Sequence, residues 1–201
     1  MNAIIVYSSR TGYTEKYAHW IAEELSAEAY DLKDVQNLSG LLNRSDLMIY
    51  GGGLYASGID GLKNFLLAAE EEPGKPLVLF STGLSIPSDV VRQEVIRHNL
   101  SEAAPRSAEF FYLRGGFDYK RLGLKDRILM RLLKMKIEIR KKRGILLGDD
   151  EKGMLAVFNR RVDFTSKTAI KDLISYVSGL GHLGAAEQHE NKTGETPAGE
   201  T

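Results

Sequence analysis

Five short segments of strand character, Ala3 to Tyr7, Glu28 to Leu32, Leu47 to Gly51, Leu77 to Ser81 and Phe110 to Leu113, constrain the fold of this 201-residue chain more than any other feature. Four of them are continuous rather than alternating, the second being weaker, and continuous runs suit the strands of a parallel sheet covered on both faces. The apolar residues take helical spacing at Thr14 to Ser26, Gly61 to Ala69, Ser88 to Leu100 and Ser166 to Val177. Strand alternating with helix predicts an α/β doubly wound domain. Five parallel strands favour the order 2-1-3-4-5, with a ligand crevice at the carboxyl ends of strands 1 and 3.

Three loops fall at that crevice. After strand 1 comes Ser8-Ser9-Arg10-Thr11-Gly12-Tyr13-Thr14, a hydroxyl-rich turn that opens a helix near Gly12. The free amides and positive dipole end of that helix, with hydroxyls from Ser9, Thr11 and Thr14, have the chemistry of a phosphate cradle. An ordinary N-capped helix is the alternative, since Ser and Thr are favoured caps anywhere. There is no G-x-x-x-x-G-K-[ST] and no G-x-G-x-x-G, so a mononucleotide with one terminal phosphate fits better than a triphosphate or a dinucleotide. Arg10 can pair with phosphate, meet an anionic substrate at the rim, or stand in solvent. After strand 3, Gly52, Gly53, Leu54, Tyr55 and Ala56 form a glycine-rich stretch suited to positive φ and close approach to a planar ligand, with Tyr55 placed to stack on a ring. After strand 4 come Ser81, Thr82, Gly83 and Leu84. Taken singly, each of these loops is more often plain turn chemistry; it is their coincidence at three switch-side positions that points to a ligand.

The chain has no cysteine, which excludes disulfides, thiol catalysis and cysteine-ligated metals. Its four histidines are scattered without metal-ligand spacing, and no catalytic side chain stands out. The start at Met1-Asn2-Ala3-Ile4 has no basic n-region, which predicts cytoplasmic residence, and no apolar run reaches the roughly 20 residues that span a bilayer. One domain is expected over 1–183, with the polar stretch 184–201 disordered.

Zero net charge conceals a strong asymmetry. Arg114 to Arg143 carries twelve Lys/Arg against three Asp/Glu, a local +9 balanced by −9 elsewhere. Within it Ile128, Leu129, Leu132, Leu133 and Met135 recur at spacings of three and four, with Arg127, Arg131, Lys134 and Arg140 around them. Such a helix suits an anionic membrane surface, a partner, or a polyanionic substrate, and equally suits packing on the domain's own sheet edge. Nucleic acid is disfavoured, because aromatics are few and no recognition motif occurs.

Ser9, Thr11, Gly12 and Thr14 match the [ST]-x-[ST]-G-x-[ST] phosphate loop, and with the other two loops the chain resembles a flavodoxin-type FMN protein over roughly 1–180. The resemblance implies a flavodoxin-like three-layer sandwich. It also implies FMN as cofactor, its phosphate held by Ser9, Arg10, Thr11, Gly12, Tyr13 and Thr14 and its ring flanked by the loops from Gly52 and Ser81. The segment Ser8 to Thr14 is similar to the S-T-R-D-G-x-T loop of the flavodoxin-like, menaquinone-dependent protoporphyrinogen oxidases. Tyr119-Lys120-Arg121-Leu122 and Asp126 to Met135 resemble the basic insertion that follows strand 5 in that family, here about 115–145. Thr11 departs from that family's acidic residue. This resemblance implies oxidation of an anionic porphyrinogen in heme biosynthesis, a quinone acceptor, and peripheral contact with the inner face of a membrane through 119–143. Arg10 and Arg114 are then candidates for substrate carboxylates. A non-catalytic electron carrier between protein partners is the alternative; such carriers are generally acidic, unlike the +9 block.

Overall fold

The computed structural model describes residues 1–55, 58–100, 108–147, 155, 158 and 160–181. Its strands are β1 (Ala3–Ser8), β2 (Glu28–Asp31), β3 (Leu47–Tyr55), β4 (Gly58–Ile59), β5 (Leu77–Gly83) and β6 (Glu109–Arg114). They form one sheet of order β2-β1-β3-β5-β6, parallel throughout, with β4 antiparallel beside the end of β3. With β4 set aside, this is the predicted order. The helices are α1 (Tyr13–Leu25), α2 (Leu38–Asn43), α3 (Leu62–Ala69), α4 (Asp89–Asn99), α5 (Leu124–Lys142) and α6 (171–181).

Successive strand residues point to opposite faces, and the two faces are filled by different helices. Ile4 and Val6 of β1 join Leu42 of α2 and Phe65 of α3 on one side. Ile5 and Tyr7 join Tyr17 and Ile21 of α1 and Leu173 and Val177 of α6 on the other. Burial on both faces explains why these strands read as continuous apolar runs.

Three local features depart from the sequence expectation. The stretch from Gly51 to Tyr55 is strand rather than loop, and it turns through a hairpin in which Leu54 pairs with Ile59. Gly51, Gly52 and Gly53 therefore do not use positive φ; their lack of a Cβ makes room for neighbours. An ideal Cβ on Gly51 would lie 2.1 Å from the Phe80 ring, and one on Gly52 2.4 Å from Ile59 Cγ2. Short α2, capped by the Asn37 side chain accepting from the Gly40 amide, has too few residues to show a periodicity. A second, two-stranded sheet pairs β7 (Gly116–Phe117) with β8 (Val162–Asp163), across the segment 118–161 that contains α5. Ala56 and the expected tail 184–201 lie outside the described residues.

Candidate functional site

The strand register sets the site. Ser8 pairs with Gly52, Gly52 with Ser81, and Gly53 with Thr82, so β1, β3 and β5 end side by side. The chain leaves β1 through 9–12 and enters α1 at Gly12, whose φ of 88° suits a residue without a Cβ. The Gly12 amide donates to Ser9 Oγ at 3.1 Å, and the Lys16 amide closes the first helical turn on the Gly12 carbonyl. By helix geometry the amides of Tyr13, Thr14 and Glu15 have no intrahelical acceptor. Thr14 Oγ1 and Thr82 Oγ1 share a buried hydrogen bond of 2.7 Å, tying the helix start to β5. With Thr82 as donor, Thr14 keeps its own proton for an anion.

Arg10 is held by carboxylates. Its Nη2 and Nε donate to Asp60 at 2.7 and 3.2 Å, and its Nη1 donates to Asp126, in the first turn of α5, at 2.8 Å. Ser8 Oγ also donates to Asp60. Burial works against ionised Asp60, but the hydrogen bonds from Arg10 and Ser8 outweigh it and hold the carboxyl below its ordinary pKa. The Arg10 guanidinium lies 4.2 Å above the Tyr55 ring. That ring is folded inward: an ideal Cβ on Gly53 would sit 3.1 Å from Tyr55 Cε2 and 3.5 Å from Thr14 Oγ1. Burial pushes the Tyr55 phenol up to about 12, with a Thr11 side-chain hydrogen bond and the Arg10 charge opposing.

The turn before α5 reaches the same loop. Arg121 Nη1 donates to the Thr11 carbonyl at 3.1 Å and would lie 2.9 Å from a Cβ on Gly12. Asp118, buried, faces both Arg121 Nε at 3.8 Å and Arg161 Nε at 3.9 Å. Tyr13 turns away from the loop, its hydroxyl donating to the Val162 carbonyl and its ring against Gly116.

Of the sequence-predicted residues, Ser9, Arg10, Thr11, Gly12, Thr14, Gly53, Tyr55 and Thr82 come together. Tyr13 contributes its amide rather than its ring. Gly52 faces Ile59, and Leu54 packs by Gly83, where an ideal Cβ would meet the Tyr112 hydroxyl. The buried Ser81 hydroxyl has no hydrogen-bond partner among the described residues. Arg114 stands at the far rim: its Nε donates to the Leu84 carbonyl and its guanidinium stacks 3.8 Å over Phe164. Asp60, Asp118, Arg121 and Asp126 were not legible in sequence, because only folding brings 60, 121 and 126 to residues 8–12 and sets 118 between 121 and 161.

A family model described as a flavodoxin domain matches residues 4–143. The chain belongs to the flavodoxin domain family. Its match runs through β1 to β6 and includes α5. Similar solved structures include a WrbA-like flavodoxin from Agrobacterium tumefaciens, 18% identical over 63% of this chain and 87% of that one, with a TM-score of 0.41. A flavodoxin from the domain Archaea is 20% identical over 64% of this chain and 98% of that one, TM-score 0.39. A flavoprotein in complex with FMN from Lactobacillus acidophilus is 16% identical over 56% and 91%, TM-score 0.39. No curated protein matches by sequence.

The flavodoxin family points to FMN as the cofactor, and the loop suits a terminal phosphate. It offers three first-turn amides, the Ser9, Thr11 and Thr14 hydroxyls, and a left-handed Gly12 at which any Cβ would be strained and crowd Arg121.

Proposed function

We propose that this flavodoxin-family protein is an FMN-dependent oxidoreductase that works against an anionic membrane surface, oxidising an anionic porphyrinogen and passing electrons to a quinone. The observation that carries the reading is the outer face of α5. Leu124, Ile128, Leu132, Met135 and Ile139 form one stripe and are 44–76% exposed, while Ile137 is the one residue of α5 that is fully buried. Lys125 and Lys136 flank that stripe on one side and Arg131 on the other, all exposed. An open apolar stripe edged by cations matches an acyl boundary below anionic headgroups. The alternative of packing on the domain's own sheet edge does not hold for this face. No helix among the described residues is long and apolar enough to cross a membrane, so contact of this kind is peripheral.

The helix is also tied to the loop. Asp126 pairs with Arg10, so the first turn of α5 meets the loop that this reading assigns to FMN. A cavity of about 410 Å³ beside α5 is lined by Tyr119, Arg131, Lys134, Met135, Glu138 and Phe158, so two cations and two rings face it together with one carboxylate. Bound FMN supplies the two-electron acceptor. The chain's residues do the holding: Ser9, Thr11, Thr14 and the first-turn amides of α1 at the phosphate, with Tyr55 covering the loop. Two electrons and two protons leave the substrate in each step and end on the quinone as its hydroquinone. A bilayer surface brings a lipid-soluble acceptor within reach.

The test has two parts. Titrated FMN should show fluorescence quenching on binding, and a porphyrinogen–quinone assay of the loaded protein should show turnover that rises with vesicles containing anionic lipid. FMN binding without turnover, but with electron exchange to a redox protein, would establish the carrier alternative instead.

A further inference from the structure

Two arginines stand at the phosphate loop, and the fold uses them differently. Arg10, the one adjacent in sequence, is saturated: Asp60 takes two of its donors and Asp126 a third. Its charge is thereby neutralised by two carboxylates within hydrogen-bond distance. Arg121 arrives from 110 residues away. Its hydrogen bond of 3.1 Å goes to a neutral acceptor, the Thr11 carbonyl, and its carboxylate Asp118 lies at a loose 3.8 Å and is shared with Arg161. A guanidinium carries five N–H donors, so most of those on Arg121 are uncommitted among the described residues, and its side chain is half-exposed beside Gly12.

Resting on the FMN reading above, we propose that Arg121, supplied by the turn before α5, is the cation that meets the cofactor's terminal phosphate. Apart from the committed Arg10, the loop offers neutral donors, amides and hydroxyls. For either arginine to meet a dianionic group brought there, Arg10 must give up Asp60 or Arg121 must turn from the Thr11 carbonyl. The second costs one exchange between a neutral and an anionic acceptor, and charge-assisted bonds are the stronger kind. The first breaks a two-point ion pair and leaves Asp60, itself partly buried, without its partner. The Gly12 position adds a steric reason. A Cβ there would press on Nη1, so the glycine keeps open the space that brings Arg121 to the loop.

The experiment compares FMN with riboflavin, which has the same ring and no phosphate, by fluorescence quenching across a salt series. Wild type should bind FMN more tightly than riboflavin. Arg121→Ala should raise the FMN Kd about tenfold, leave the riboflavin Kd unchanged, and flatten the salt dependence of FMN binding. Arg121→Gln, which keeps a donor without the charge, should show most of the same loss. Lys120→Ala removes an equal charge from the same turn and should change neither Kd. Equal weakening of both ligands by Arg121→Ala would mark Arg121 as a latch for the insertion only and overturn the proposal, as would no change in either. A wild-type protein that binds neither flavin would overturn the FMN reading and this inference with it.

Discussion

Helices α1 and α5 make an instructive pair, because the first turn of each meets the loop that follows β1 and both carry a periodic apolar row. In α1 that row is used up: Tyr17, Ala18, Ile21 and Ala22 are buried against the sheet and α6. In α5, six residues longer, the row from Leu124 to Ile139 lies open, and the helix is held by Ile137 and by polar contacts at its first turn. Periodicity reports that a helix has an apolar face; it does not report what covers it. What separates the two is the register of attachment. Helix α1 follows β1 directly and must pack back on the sheet, whereas α5 hangs from the small β7–β8 sheet beyond β6.

The contrast is sharpest at Tyr17, the residue that should cost most. Its ring is fully buried and its hydroxyl joins three elements, donating to the Arg114 carbonyl and accepting from the Ser166 amide. Tyr17→Ala is expected to lose about 3–5 kcal/mol in urea unfolding, and Tyr17→Phe about 1–2 kcal/mol for the two groups left unpaired. A loss under 1 kcal/mol for the alanine variant would break the picture of α1 as the anchored helix.

Next in size is Gly51→Ala, expected to cost about 1–3 kcal/mol because its Cβ would enter the Phe80 ring. The same denaturation measurement checks it.

Asp60 links the two regions through Arg10, and its effect depends on pH. Its folded pKa is depressed, so the stability it contributes is fully present above the unfolded value near 3.8 and is lost as pH falls through the lower folded value. Asp60→Asn should therefore destabilise the protein at pH 7 by about 1 kcal/mol and flatten the acid limb below pH 4. An acid limb identical to wild type would remove Asp60 as the bridge between loop and α5.

The smallest stability effect belongs to the open face. Ile128→Asp and Leu132→Asp should stay within about 0.5 kcal/mol of wild type, as exposed substitutions do, while abolishing co-sedimentation with anionic vesicles. A large stability loss would show that this face is covered after all.

The alternation of apolar runs was enough to set the sheet, its parallel direction and its strand order, because strands buried on both faces leave a continuous apolar signature in the chain. The hydroxyl-rich stretch from Ser9 to Thr14 likewise marked the turn into α1, since that signal lies within six residues. The sequence also marked the helix of the insertion. Tertiary structure decided the rest: that Gly51 to Gly53 extend β3 to admit Phe80 and Ile59, that Arg10 is consumed by Asp60 and Asp126, that Arg121 stands over Gly12, and that the apolar row of α5 lies open. Each of these is a contact between residues far apart in the chain. Local spacing encodes which face of an element is apolar, and only the path of the chain determines what that face, or a charge beside it, meets.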